Sequence, residues 1–329
     1  MITAPDFKMK QILYIFCNEG EKFQIRNDNL LITDSEGKTK LQVTCYRIFL
    51  INIVGSCSLT SVLIKNAKKF GFYISLYSPG FHLIQVIGAA KEGNTLLKKR
   101  QYEYKKLDIA KLIVMNKLYM QYKTLGQIRS KSEELKYSMN IIKEYYRAID
   151  MVLDNNGLLS LEGHSAKLYF KHCFDNSNWK GRKPRIKIDP INTVLDIGYT
   201  MLFNIIDSIL SSFGFDTYVG VYHKEFYMRK SLTCDIIEPF RPLIDWQVRK
   251  AINLKQIDID DFEVYNNQYQ LKWKCSKKYT QFLMEPIIEN KDYIFDYIKR
   301  YYRSFMKGSS INDFPFMTLE GVKNGFDKL

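Results

Sequence analysis

The chain has 329 residues, 46% of them hydrophobic, which is enough to bury the cores of two domains and excludes a disordered chain. Its 49 Lys and Arg against 35 Asp and Glu leave a net charge of +14. That excess excludes a preference for polycationic partners and points to DNA, RNA or an anionic membrane surface, without choosing among them.

The first ninety or so residues carry strand signals. Gln11 to Phe16 is a short apolar run ended by Asn18-Glu19-Gly20. Leu30 to Thr33 ends in the turn cluster Asp34-Ser35-Glu36-Gly37, and Phe49 to Val54 is a third run. Ser58-Leu59-Thr60-Ser61 then offers helix caps ahead of Val62 to Lys69, with Gly71 as a stop signal. Phe72 to Tyr77 and His82 to Ile87 flank Ser78-Pro79-Gly80 and predict a hairpin.

Composition shifts at Lys91-Glu92-Gly93-Asn94, which sets the domain border there: residues 1–92 β-rich, residues 93–329 helical. Leu96 to Lys123 keeps Leu107, Ala110, Leu112, Ile113 and Leu118 at helical spacing. Tyr137 to Leu153 and Ile191 to Phe213 have the same character, with Gly198 inside the latter. No stretch reads as membrane-spanning: Ile48 to Val54 falls far short of the ~20 residues required, and Ile197 to Phe213 is interrupted by Asn204 and Asp207. With no signal-peptide pattern at the N-terminus, a cytoplasmic location is expected. None of the six cysteines lies in a C-x-x-C pair, so they are expected to be small buried hydrophobes rather than zinc ligands.

Three widely spaced residues carry ligand chemistry: Glu162, His223 and Glu238. Two carboxylates and one imidazole can hold a hard or borderline divalent ion and leave coordination positions open. In a basic chain, such a site fits phosphodiester chemistry on nucleic acid. On a helix, Glu162 shares a side with Ala166, Tyr169 and Phe170, and Asp235 would share one with Glu238 three residues later. His164 and His172 are further candidate ligands. Spacing alone leaves the bland alternatives open: a solvated Glu, a core His, or Asp235 as a carboxylate opening a helix. The densest positive segment is Trp179 to Lys187, where Lys180, Arg182, Lys183, Arg185 and Lys187 can grip phosphates or line a solvated loop. In a second basic stretch, Tyr297 to Lys307, the tyrosines are expected to be helix core.

Taken in order, these strings resemble the CRISPR-associated adaptation integrase family. The likeness lies in Ser58-Leu59-Thr60, Pro79-Gly80, Arg100-Gln101-Tyr102, Glu162-Gly163 to Tyr169-Phe170, Arg182-Lys183-Pro184, Asp189-Pro190-Ile191-Asn192 and Gly198-Tyr199. It ends with His223 and the run from Ser231-Leu232 through Asp235 to Glu238-Pro239-Phe240-Arg241-Pro242. The chain departs from the family at Met120 before Gln121, where many members have Asn-Gln.

The resemblance implies an α+β protein, with a β-sandwich-like N-terminal domain for dimerisation and partner docking and an all-helical catalytic domain. It places metal ligands on Glu162, His223 and Glu238, with Asp235 at an additional acidic position whose rank against Glu238 is open. Arg241 and the basic stretch would meet nucleic acid. It also implies Mg²⁺ or Mn²⁺, a homodimer, a small ferredoxin-like adaptation partner, no membrane, and double-stranded DNA as prespacer and repeat target. The activity implied is strand transfer of a prespacer 3′-OH, with nuclease action at the same site. A non-catalytic DNA-binding scaffold and a general metal nuclease are the alternatives.

Overall fold

The computed structural model describes residues 2–88, 94–174, 179 and 181–322. The chain forms two compact units, Met1–Gly93 with Ser211–Gly214 and Asn94–Leu210 with Phe215–Leu329. Apart from Asn94, the composition shift at 91–94 lies outside the described residues.

The first unit opens with a short helix, α1 (Ala4–Lys8), capped reciprocally by Thr3 and Asp6. Strands β1 (Gln11–Phe16), β2 (Lys22–Arg26), β3 (Asn29–Thr33), β4 (Thr39–Thr44) and β5 (Ile48–Val54) follow. Helix α2 (Ser61–Phe70), β6 (Tyr73–Tyr77) and β7 (Leu83–Gly88) complete it. One sheet has the order β1-β5-β6-β7 and the other β2-β3-β4. β5 runs parallel to β1 and β6 and is buried at every residue, as its unbroken apolar run requires of a central strand. Its one polar residue, Asn52, is satisfied there by the Tyr77 hydroxyl (3.2 Å) and the Leu13 carbonyl (3.4 Å). Ile15, Ile51, Ile53 and Ile74 of the first sheet pack with Phe23, Leu30 and Ile32 of the second, around Leu63 of α2. Thr60 caps α2 through the Leu63 amide, and the β6–β7 hairpin closes where Ser78 pairs with His82.

The second unit contains α3 (Thr95–Glu103), α4 (Asp108–Gly126), α5 (Glu133–Ala148), α6 (Asn155–Cys173) and α7 (Pro190–Phe213). These are followed by α8 (Ser231–Ile237), α9 (Arg241–Asn253), β8 (Phe262–Tyr265), β9 (Gln268–Leu271), α10 (Ser276–Glu289) and α11 (Lys291–Lys307). The expected helix from Leu96 to Lys123 is two helices: Tyr104 turns extended (ψ 115°) and its hydroxyl takes the Ile109 amide at the start of α4. The region is mostly helical rather than all-helical. The β8–β9 hairpin departs from that expectation because Asn266 and Asn267 (φ 49° and 59°) form a two-residue turn suited to antiparallel strands. Gly198 within α7 is explained by packing, since a Cβ there would meet Ile244 Cγ2 at 2.5 Å.

Among the described residues, α7 is the one helix long and apolar enough to cross a membrane, but 83% of its most apolar window is buried in the fold. The tyrosines Tyr297 and Tyr301 of α11 are core, with Arg300 and Arg303 exposed. All six cysteines are free thiols.

Candidate active site

The site is assembled on α4, α6, the loop before α8 and the single helical turn Glu238–Phe240. Asp154 caps α6 by accepting the Gly157 amide (2.8 Å), and Glu162 lies mid-helix, on the side that faces α4. One turn further along the two helices, Ser165 donates to Gln121 Oε1 (2.9 Å), a buried contact that fixes their spacing. Gln121 therefore keeps a partner although buried Met120 precedes it.

Glu162 and Glu238 converge on one cation, Lys117 of α4. Lys117 Nζ donates to Glu162 Oε1 and lies 2.5 Å from Glu238 Oε2. Glu238 Oε1 accepts from Arg241 Nε (3.0 Å), while its buried Oε2 accepts no hydrogen bond of regular geometry. Tyr222 Oη, itself buried, reaches Glu162 Oε2 at 3.4 Å. Burial opposes charge on Glu238, but Arg241 and Lys117 outweigh it and hold the carboxyl well below its ordinary range. Lys117 is likewise opposed by burial, yet the two glutamates keep its affinity for its proton above that of a free lysine. Burial pushes the Tyr222 phenol up, and the glutamates add to the effect.

His223 sits in an irregular loop that Asp235 organises. Asp235 is fully buried on α8. Its Oδ2 accepts the Val221 and Tyr222 amides (2.7 and 3.1 Å), and its Oδ1 accepts the His223 amide (2.9 Å) and His223 Nδ1–H (2.7 Å). With Nδ1–H given to Asp235, the neutral ring keeps its lone pair on Nε2. Gly220 makes the wrap possible, because a Cβ there would stand 2.7 Å from Asp235 Oδ2 and 2.8 Å from Ser231 Cβ.

Of the four acidic and imidazole residues expected from sequence, then, the fold pairs Glu162 with Glu238 through Lys117, and His223 with Asp235. Both Asp235 oxygens are used by the loop, so Glu238 is the carboxylate presented beside Glu162. Among the described residues no three His, Cys, Asp or Glu side chains are gathered closely enough to hold an ion. Lys117 stands between the carboxylates, and His223 Nδ1 is turned to Asp235. The oxygen donors nevertheless suit a hard divalent cation: buried Glu238 and half-buried Glu162 already share the Lys117 ammonium, and Glu238 Oε2 lacks a directional partner. The remaining histidines lie apart, His164 on the Ser160 carbonyl (2.8 Å) and buried His172 on Ser138 Oγ (3.0 Å).

The basic stretch divides into two kinds of residue. Lys183 and Arg185 are exposed. Arg182 is bound inward, to Asp196, to Asn192 Oδ1 (3.0 Å) and over the Tyr199 ring. Lys187 is buried rather than open to solvent, and burial lowers its affinity for its proton. Lys180 lies outside the described residues. Trp179 packs on Phe170 and Phe174 rather than standing out as a stacking surface. Arg241 lies over Tyr199 (4.6 Å), whose hydroxyl donates to buried Asp245, as does that of Tyr169 (3.0 Å).

Lys117 was not legible as a site residue, although a signal existed. It lies in a mostly apolar helical run, four residues after Ile113 and four before Gln121, which puts a charged side chain on a face rich in core residues without naming its partner.

Known proteins share this fold and part of this sequence. The family described as CRISPR associated protein Cas1 matches residues 13–285. A CRISPR-associated endonuclease Cas1 of Chlorobaculum tepidum is 28% identical over 276 residues, covering 78% of this chain and 80% of that one. The Cas1 protein TM1797 of Thermotoga maritima superposes with a TM-score of 0.76 at 15% identity, over 90% of this chain and 98% of that one. A casposase bound to integration product gives 0.77 at 21% identity, over 98% and 96%. Structures of the same fold also include a Cas6-RT-Cas1–Cas2 complex, of whose longer chain this one covers 36% (TM-score 0.80), and a TtCas1–DNA complex (TM-score 0.59). With most of its length matched, the chain belongs to the Cas1 family of CRISPR-associated proteins.

Proposed function

We propose that the protein is a metal-dependent DNA integrase of CRISPR adaptation, joining prespacer 3′-OH ends to the repeat. The observation that carries this reading is the convergence of Glu162 and Glu238 on one positive charge beside a histidine whose tautomer is set by Asp235. Glu162 and Glu238 would hold Mg²⁺ or Mn²⁺, with His223 Nε2 as the third donor. A bound divalent ion supplies polarisation of the target phosphate and a more acidic attacking hydroxyl. The chain's own part is to fix the carboxylates with Lys117 and Arg241, to orient His223, and to meet the phosphate backbone with exposed Lys183 and Arg185. No protein nucleophile is needed, so the 23 tyrosines need no role as one. Hydrolysis at the same site is a second reading, favoured by the relatives' description as endonucleases.

The protein would be a homodimer that works with a small ferredoxin-like partner on double-stranded DNA in the cytoplasm; a Cas6-RT-Cas1–Cas2 complex and a TtCas1–DNA complex among the structural neighbours support a protein partner and DNA. The β-rich unit would dimerise and dock the partner, and the helical unit would carry the chemistry. The test is a strand-transfer assay with a duplex bearing free 3′-OH ends, a supercoiled target carrying a repeat, the partner, and Mn²⁺ or EDTA. Metal-dependent joined product that disappears in Glu162→Gln and His223→Ala is expected. Cleavage without joining would replace integration by hydrolysis. A folded, DNA-binding protein with neither activity would leave a scaffold.

A further inference from the structure

We infer that Lys117 is the built-in counter-ion of the acidic pair, and that a divalent cation enters between Glu162 and Glu238 by displacing the lysine ammonium. The inference rests on the proposed role of the two glutamates as metal ligands. It goes beyond that role by assigning the metal-free protein a resident cation that competes for the site.

Three observations carry it. The first is position: the ammonium contacts one oxygen of each carboxylate, so it fills the place a shared cation would take. Two cations cannot occupy that place together, because like charges in a desolvated site repel strongly. The second is burial. The Lys117 side chain is 9% exposed, and those of Glu162 and Glu238 are 19% and 6% exposed. Two carboxylates so enclosed need a positive charge at all times, whether or not a metal is bound. The third is the quality of the interaction. Glu238 Oε2 meets the ammonium at 2.5 Å without a hydrogen bond of regular geometry, so charge rather than direction holds it. Such an interaction can be exchanged for an ion. The lysine stem has four rotatable carbons with which to withdraw. The backbone of α4 stays fixed meanwhile, because neighbouring Asn116 both donates to the Met317 carbonyl (2.8 Å) and accepts the Met317 amide (2.7 Å).

The experiment is titration of the full-length protein with Mn²⁺, following free Mn²⁺ by electron paramagnetic resonance, with thermal melts in EDTA and in Mn²⁺. Lys117→Met is compared with wild type and with Glu238→Gln. Lys117→Met is expected to bind Mn²⁺ about tenfold tighter or better, the least that close desolvated charge pairs are worth. It is also expected to melt lower in EDTA and to gain more from Mn²⁺ than wild type does. Glu238→Gln loses the binding. If Lys117→Met folds only when Mn²⁺ is present, that too is the expected result. If it folds in neither condition, Lys117→Gln, which keeps donors without charge, is held to the same tenfold criterion. Binding in the lysine variant that is unchanged or weaker, with loss in Glu238→Gln, would overturn the displacement and leave the integrase reading standing. Binding that ignores both substitutions would place the ion elsewhere and overturn both.

Discussion

Replacing Asp235 by asparagine removes one charge and one acceptor oxygen from a side chain that serves four donors. Those donors are the Val221, Tyr222 and His223 amides and His223 Nδ1–H. The single amide oxygen can face one pair only, so the new NH₂ group must face the other pair, donor against donor. Two hydrogen bonds to a charged, fully buried group disappear, each worth about 1.5–3 kcal/mol, or about 3–6 kcal/mol together. For a unit of this size, that is a fall in Tm of roughly 10 °C. If the NH₂ group faces His223, it turns Nδ1 into an acceptor and puts the proton on Nε2, which removes the lone pair His223 would offer a metal under the proposed function. Loss of such a supporting partner costs about 10–100-fold in metal affinity or activity. The assay pairs a thermal melt in EDTA with Mn²⁺ titration and strand transfer at a temperature where the variant is folded. An Asp235→Asn protein that melts within about 2 °C of wild type and transfers strands at the wild-type rate would refute this account of the loop.

Gly220→Ala brings a Cβ to 2.7 Å from Asp235 Oδ2 and 2.9 Å from the Ser231 backbone, and overpacking of that kind costs about 1–3 kcal/mol; a lowered melt with parallel loss of transfer is expected. Asp245 is buried, and burial lifts its carboxyl from 3.8 to about 6 against the hydrogen bonds of Tyr199 and Tyr169. Its native state prefers the proton, so its contribution is complete below pH 4 and is lost as pH rises through 6. At about 1.4 kcal/mol per tenfold change in proton affinity, that is about 3 kcal/mol. Urea unfolding of wild type and Asp245→Asn at pH 4, 5, 6 and 7 should show the difference between them changing by that amount and then levelling. Lys183→Ala with Arg185→Ala should flatten the salt dependence of duplex binding, by about 0.9 in log–log slope for each phosphate no longer neutralised, at unchanged Tm. Arg182→Ala should instead lower Tm, because that guanidinium holds Asp196 and Asn192.

Much of the fold was legible because burial writes itself into periodicity. The all-apolar Ile48 to Val54 could only be a strand covered on both faces, and Thr60 and Gly71 bracket α2 as caps should. The strands β2 and β4 were harder to see, since each buries one face at most and alternates with Lys, Gln, Arg and Thr. The break at Tyr104 was hidden because the apolar spacing continues across it, and the turn depends on a hydroxyl reaching the Ile109 amide. At the site, the order of motifs singled out Glu162, His223 and Glu238. It could not rank Asp235 against Glu238: both carboxylates lie on one short helical path, and only the course of the loop from Gly220 to His223 decides which of them is consumed. Lys117 lies far from every motif string, and its role follows from the packing of α4 on α6, a tertiary fact that spacing does not encode.

The charge excess has the same two layers. A sum of +14 treats every lysine and arginine as a partner for phosphate. Lys117, Arg182, Arg241 and Arg249 are spent inside the helical unit on Glu162, Asp196, Glu238 and the carbonyls of α6, while Lys187 is buried. What remains for nucleic acid is the exposed set, of which Lys183 and Arg185 stand on the connecting loop and Lys224 follows His223 directly. Substituting an inward cation would weaken DNA binding by loosening the carboxylate framework, and an affinity measured at one salt concentration would attribute that loss to a missing phosphate partner. The slope against salt separates the two cases, since only a residue that displaces counterions changes it. On the proposed function, the inward cations hold the carboxylates and loops of the helical unit and the exposed ones would meet the polyanion, and a single count of charge conflates them.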